Sequence, residues 1–250
     1  MNKEEFFVKR IRELANTAYQ RDIVTFSDFL GLNELNILNS LNFREYGVVP
    51  EVYGGYEYAE RQMVAFHTDA LAFPWKFPIS CLKVEARSLK FSEELTHRDF
   101  LGALLNLGVD RAVIGDILVQ DKTAWFFTET RMADFFMENL CRVKHTNIVI
   151  SPVFDPGEMP RPKMEEITGT CSSVRLDSLI ALAFQSSRSS MVPFIEEGRV
   201  YVNVKLVTSN GYEPKTGDII SVRGKGRFLF DGETHKTKKG RLGVRLFRYV

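Results

Sequence analysis

Arg175-Leu176-Asp177, Ser187-Arg188, Ile195-Glu196-Glu197-Gly198-Arg199-Val200-Tyr201-Val202-Asn203-Val204-Lys205 and Lys215-Thr216-Gly217-Asp218-Ile219-Ile220-Ser221-Val222-Arg223-Gly224-Lys225-Gly226-Arg227 follow one another between Val174 and Phe228. Read physically, they are two short helices feeding a small, strongly basic sheet. Leu176, Leu179, Ile180 and Ala183 fall at i, i+3, i+4 and i+7, a single apolar stripe. Arg175 precedes the stripe and can face outward from the helix start. Ser187 suits the N-cap of a second helix and leaves Arg188 in its first turn. An anion brought there would meet both the helix dipole and a guanidinium. Met191, Val192 and Ile195 supply the second helix's buried side, and Gly198 its left-handed end. Pro193 should kink this helix or delay its start. From Arg199 to Val207 the chain alternates, with Val200, Val202 and Val204 against Tyr201, Asn203 and Lys205, as a strand does.

Charge singles out the same region. The 250 residues carry a formal net charge of +1, but residues 171–250 hold 14 Lys and Arg against 7 Asp and Glu, a net of +7. Residues 1–170 are left with a net of −6. A basic module on an acidic body points to one end meeting a polyanion. Hydrophobic content of 44% and charged content of 26% are ordinary for a chain with a buried core. Cys81, Cys141 and Cys171 are odd in number and widely spaced, so a reducing cytoplasm is expected rather than a disulfide framework. The start, Met1-Asn2-Lys3-Glu4-Glu5, carries acid where a signal peptide needs a basic region and an apolar run.

The blocks Arg-Leu-Asp, Ser-Arg, Ile-x-x-Gly-x-Val-x-Val-Asn and Gly-Asp-x-Ile-x-Val resemble, in order and spacing, the RNA-binding domain of small-subunit ribosomal protein four, the S-four domain. The resemblance implies an α-α-β RNA-binding module. Its RNA-binding residues here would be Arg175, Asp177, Ser187, Arg188, Asn203, Lys205, Arg223, Lys225 and Arg227. Arg175, Arg188 and Lys205 would form a basic ridge, extended by Arg223, Lys225 and Arg227, with Gly224 and Gly226 letting backbone approach phosphate. Asp177 would orient an arginine or cap the helix. One departure is that Val204 stands where the family has Gly, which removes the Asn-Gly hairpin signal.

Upstream, Lys3 to Tyr19 reads as an amphipathic helix with Phe7, Ile11, Leu14, Ala15 and Ala18 inward. Its Lys9, Arg10 and Arg12 could touch nucleic acid or form a solvated face. Thr25-Phe26-Ser27-Asp28 offers capping residues for a second helical region carrying Leu32, Leu35, Leu38 and Leu41. Gly47–Tyr53 and Gln62–His67 read as strands. The loop Tyr53-Gly54-Gly55-Tyr56-Glu57-Tyr58-Ala59-Glu60-Arg61 could clamp a nucleotide or pack its tyrosines on the body. Ala72 to Pro78 marks a boundary. From Ile79 to Val153 the order is β-α-β-β-α-β, a ferredoxin-like sandwich. Trp125, Phe126 and Phe127 are consecutive, so at least one faces the helices, while Trp125 or Phe127 could stack on RNA. Pro156, Gly157, Pro160 and Pro162 mark Phe154 to Pro162 as a linker or loop, and Glu165–Ser173 reads as a strand or tether. After Phe228, Asp231-Gly232-Glu233 reads as a turn. Lys236, Lys238, Lys239 and Arg241 make a basic turn around Gly240 that could track a phosphate backbone or be a soluble tip.

Catalytic signatures are missing. The four histidines show no metal-ligand spacing, and there is no phosphate loop, dinucleotide cradle or nucleophile elbow, so no cofactor is expected. Three enzyme classes carry S-four domains. Pseudouridine synthases follow their Arg-Leu-Asp with Thr or Ser and then Gly-Leu, where this chain has Ile180 and Leu182. Tyrosyl-tRNA synthetases and methyltransferases need nucleotide or cofactor signatures that the chain lacks.

As a whole the chain resembles the YlmH family of bacterial RNA-binding proteins, and the 54–61 loop shares in the likeness. The implied fold is α+β in three small domains: 1–78 with helices and a hairpin, 79–165 ferredoxin-like (RRM-like), and 171–250 S-four-type. The implied role is a cytoplasmic, non-catalytic protein that binds ribosomal RNA and tRNA on the large ribosomal subunit in rescue of stalled translation. A link to cell-division proteins is part of the same picture. The alternatives are an RNA-modifying enzyme of the pseudouridine-synthase type, or an adaptor linked to cell division.

Overall fold

The computed structural model describes residues 2–71, 73–88, 90, 93–155, 159, 162–238 and 240–249. Ala72, Pro156, Gly157, Pro160 and Lys239, named above, lie outside the described residues. The chain divides into two compact units, residues 1–161 and 162–250. It is an α+β protein.

In the first unit, α1 (Lys3–Arg21) starts on a capping box between Asn2 and Glu5 and buries Ile11, Ala15 and Ala18. The segment Thr25–Phe26 is a strand, β1, rather than a helix cap. Its neighbour Ser27 is taken up by the strand that holds Val64, since Val64 N donates to Ser27 Oγ at 3.0 Å. The helix α2 (Leu32–Ser40) begins instead at Gly31, whose N–H donates to Glu34. Strands β2 (Val49–Tyr53) and β3 (Met63–His67) complete a sheet of order β1-β3-β2.

The sandwich follows as β4 (Ile79–Ala86), α3 (His97–Leu105), β5 (Ile114–Gln120), β6 (Thr123–Glu129), α4 (Ala133–Asn139), β7 (Arg142–Val143) and β8 (Thr146–Val153). Strand order is β5-β6-β4-β8-β7 with every pairing antiparallel. The first four are the order of a ferredoxin-like sheet, and the two-residue β7 is an added edge. Leu82, Val84, Phe126, Phe100 and Phe136 form the core under the helices.

Side-chain alternation along β6 decides the aromatic triplet. Phe126 joins the helix-side core, which turns Trp125 and Phe127 to the other face. Both are nonetheless buried, at 8% and 1% exposure. Phe127 lies in a stack with Tyr56, ring centroids 5.0 Å apart and planes 10° apart. The expectation that Trp125 or Phe127 is free to stack on RNA is therefore corrected, because the chain's own hairpin loop occupies Phe127. Gly55, at φ +100°, is what allows it: a Cβ there would sit 2.3 Å from the Phe127 ring.

A bulge in β5 between Ile114 and Ile117 aims Asp116 at the same loop. Asp116 accepts from Tyr56 Oη (2.8 Å), Glu60 N (2.7 Å) and Arg61 N (3.0 Å). Arg61 donates to the carbonyls of Phe29, Arg111 and Ile114. Burial lowers the Arg61 pKa. The same effect, with Arg61 beside it, brings Arg111 down to about 10. The 54–61 loop thus staples the N-terminal sheet to the sandwich, which settles Tyr56 and Arg61 as packing groups.

The second unit comprises β9 (Met164–Cys171), α5 (Leu176–Ala183), α6 (Arg188–Glu196), β10 (Val200–Val202), β11 (Lys205–Leu206), β12 (Ile219–Val222), β13 (Gly226–Lys236) and β14 (Leu242–Tyr249). They form one antiparallel sheet of order β11-β10-β12-β13-β14-β9, with the two helices over a core of Leu179, Ile180, Ile195, Val200, Ile220 and Phe228. The segment read as a strand or tether is a full strand, paired with β14 from Met164↔Tyr249 to Cys171↔Leu242. Asp231-Gly232-Glu233 is not a turn. It is a register shift inside the long β13, with Gly232 at φ +121°. Pro193 sits inside α6 without delaying its start at Arg188.

Candidate nucleic-acid interface

The candidate interface is built from the helix starts, one hairpin and one turn of the second unit. Arg175 is the N-cap of α5, and Asp177 lies in its first turn. Ser187 caps α6, its Oγ accepting from Ser190 N at 3.2 Å, and Arg188 opens the helix. Folding brings these starts together. Arg188 Nε donates to Asp177 Oδ2 at 3.2 Å, and its Nη2 donates to the same oxygen. Arg175 Nε stands 3.4 Å from Oδ1, an ion-pair distance without hydrogen-bond geometry. The carboxylate side chain is 4% exposed, whereas the arginines keep 40% and 51% of theirs. Burial opposes ionisation of Asp177, but the hydrogen bonds and charges of Arg188 and Arg175 outweigh it, and its pKa lies below the ordinary value. The result is a buried anion holding two half-open guanidinium groups, net +1, at two helix N-termini. Such a group favours phosphate.

A second basic group lies at the other end of α6. Arg223 N donates to Arg199 O at 2.8 Å, and Arg199 Nη2 donates back to Arg223 O at 3.0 Å. The Arg199 guanidinium covers the Phe194 ring at 4.2 Å, with Lys225 Nζ 5.7 Å from the same ring. Gly224, at φ +84°, makes room: a Cβ there would be 3.0 Å from Arg199 Nη2. Arg199 was read from the sequence only as the start of a strand. Its place one residue after the left-handed Gly198 was the available signal for a side chain turned back over α6.

The third element corrects an expectation. Asn203 and Val204 do form a hairpin turn between β10 and β11, at φ +46° and +70°, although Val replaces Gly. Tertiary bonds impose it. Asn203 Nδ2 donates to Asp218 Oδ1 at 2.8 Å, Asn203 Oδ1 accepts from Ile219 N at 2.9 Å, and Asn203 N donates to Ile219 O at 2.9 Å. Lys205 follows on the edge strand, opposite Val202. It lies roughly 10 Å along β10 from Arg199, at 3.3 Å per residue.

Of the nine residues named from sequence, Arg175, Asp177 and Arg188 touch directly, with Ser187 adjoining. Arg223 and Lys225 meet around Arg199 and Phe194. Asn203 and Lys205 share the turn region. Arg227 stands apart: its neighbour Phe228 is in the core, so Arg227 takes the opposite face, 4.4 Å over the Tyr249 ring. Among the described residues no three His, Cys, Asp or Glu gather as a metal site. No described helix is long and apolar enough to cross a membrane.

A ferredoxin-like sandwich followed by a basic helix-and-hairpin module defines a protein of the RNA-binding class. Comparison with known proteins agrees. Residues 75–154 match the family model described as "Putative RNA-binding domain in YlmH", and residues 174–220 match the S4 domain. Over these spans the chain is therefore similar to a domain of YlmH and, C-terminal to it, to an S4 domain. It is 27% identical over 247 residues to "Ribosome-associated protein quality control protein P2" of Bacillus subtilis (strain 168), covering 96% of this chain and 93% of that protein. Its fold is similar to a solved structure titled "Cell division protein ylmH from Streptococcus pneumoniae", with a TM-score of 0.52 at 20% identity, covering 64% of this chain and 96% of that one.

Proposed function

We propose that this protein binds ribosomal RNA and tRNA on the large ribosomal subunit, in rescue or quality control of stalled translation, and catalyses no reaction. The observation that carries the binding role is the Arg175–Asp177–Arg188 group, two guanidinium groups held open by one buried carboxylate. The whole-length likeness to a protein named for ribosome-associated quality control supports the ribosomal setting. Asp177 argues against the pseudouridine-synthase reading. A catalytic aspartate must reach its substrate, whereas this one is buried under two arginines, with Ile180 buried where those enzymes have Thr or Ser. On this reading the site residues are Arg175, Arg188, Lys205, Arg223 and Lys225 with Arg199 added, and the protein works in the cytoplasm.

The test is co-sedimentation with purified bacterial subunits. The expected result is retention on the large subunit, strengthened when it carries peptidyl-tRNA, and weakened by Arg188→Ala. Equal retention on both subunits, or modified nucleosides appearing in the RNA, would overturn the proposal. Recovery of cell-division proteins after nuclease treatment would favour the adaptor role instead.

A further inference from the structure

The open face of the sandwich sheet carries a cavity of about 370 Å³ whose lining includes Tyr53, Lys76, Phe77, Cys81, Phe127 and Phe154. This is at the small end of the range for ligand sites. Phe154, at the end of β8, is 88% exposed, the most of any large apolar side chain described. Tyr53 is 42% exposed. Its hydroxyl donates to Gly55 O at 2.7 Å, which holds its ring 5.6 Å from that of Phe77. Lys76 is exposed beside them, and no carboxylate is among the described lining residues. The sheet centre is closed, because Tyr56 covers Phe127. The aromatic surface still open to a flat partner is at this rim.

We propose that the cavity takes one unpaired nucleobase of RNA, stacked on Phe154, with Lys76 meeting the adjoining phosphate. The proposal rests on the RNA-binding reading above and adds a second contact, in the sandwich rather than the basic module. Single-stranded RNA can splay a base onto an aromatic ring, and such stacking tolerates any base. The 75–154 match to an RNA-binding domain includes Lys76, Phe77, Phe127 and Phe154.

The test uses the full chain with a fluorescent uridine 12-mer and a fully paired RNA duplex at low salt. Phe154 is so exposed that its replacement leaves the fold intact. Phe154→Ala is expected to weaken 12-mer binding about five- to tenfold while leaving duplex binding unchanged, and Phe154→Tyr to retain the 12-mer affinity. Lys225→Ala, in the basic module, should weaken both RNAs. Unchanged 12-mer affinity in Phe154→Ala, alongside a loss in Lys225→Ala, overturns the cavity and leaves the RNA-binding reading standing. An equal loss in Phe154→Ala and Phe154→Tyr also overturns the cavity, since stacking is then not what was removed. If the unaltered chain binds neither RNA, both readings fall.

Discussion

Arg188 and Asp177 stand eleven residues apart in sequence, yet Arg188 Nε donates to Asp177 Oδ2 at 3.2 Å, joining the first turn of α6 to the first turn of α5. The contact reconciles two local conflicts. A cation at a helix N-terminus opposes the dipole, and a buried carboxylate opposes desolvation. Each removes the other's cost, and the outer half of the guanidinium is left for an anion. Arg188→Ala should therefore act twice. It should weaken RNA binding and reduce the slope of log K against log salt by about 1. It should also lower stability by about 2 kcal/mol, because Asp177 keeps only the ion pair with Arg175 and the hydrogen bond from Ser178 Oγ. Binding titrations at several salt concentrations and a urea melt check both. An unchanged slope would remove Arg188 from the interface.

The same carboxylate gives a pH signature. Its pKa is lowered in the fold, so its contribution is fully present above the unfolded value, near 3.8, and is lost as pH falls through the folded one. Asp99, held by its hydrogen bond to Lys144 and by Thr96, falls to about 2 and responds in the same direction. Comparison with Asp177→Asn isolates the first effect. The stability difference between the unaltered chain and Asp177→Asn should be constant from pH 7 to 5 and shrink below about 4. A difference that persists to pH 2.5 would show that packing, rather than charge, sets the role of Asp177.

Val204 is held at φ +70°, a region costly for a β-branched residue. Val204→Gly should raise stability by about 1 kcal/mol, the relieved strain exceeding glycine's extra chain entropy. Asn203→Ala, which removes the bonds to Asp218 and Ile219, should lower it by roughly 2 kcal/mol. Denaturant melts of the two variants move in opposite directions if the turn is imposed from outside. A destabilised Val204→Gly would mean that Val204 packing outweighs its strain.

Asp116 secures the 54–61 loop through three hydrogen bonds. Asp116→Ala should cost roughly 3 kcal/mol and expose the loop to limited proteolysis, while Tyr56→Phe should cost about 1. If proteolysis of Asp116→Ala begins elsewhere, the loop is held by the Tyr56–Phe127 stack and Arg61 without it.

Arg175-Leu176-Asp177, Ser187-Arg188 and the alternation at Val200 and Val202 carried the basic module in the sequence, because helix caps and apolar periods are short-range signals. The β-α-β-β-α-β order was legible for the same reason. The long-range pairings were not. The span Asp231-Gly232-Glu233 has turn composition, but pairing with β14 makes it a bulge in a continuous strand. Thr25-Phe26 has cap composition, but β3 draws it into a sheet. The Asn203–Val204 turn defies local propensity because Asp218 and Ile219, remote in sequence, hold Asn203.

By itself, then, the sequence determined the helices, the order of the sandwich and where the positive charge is concentrated, all set by neighbours within a few residues. Only the tertiary structure decided that Asp177 holds two arginines at once, that Arg199 bonds the Arg223 backbone and shares the Phe194 ring with Lys225 while Arg227 faces away, and that Tyr56 closes Phe127. Each of these depends on which strands and helix starts meet, and that is fixed by burial of the whole core rather than by any local stretch.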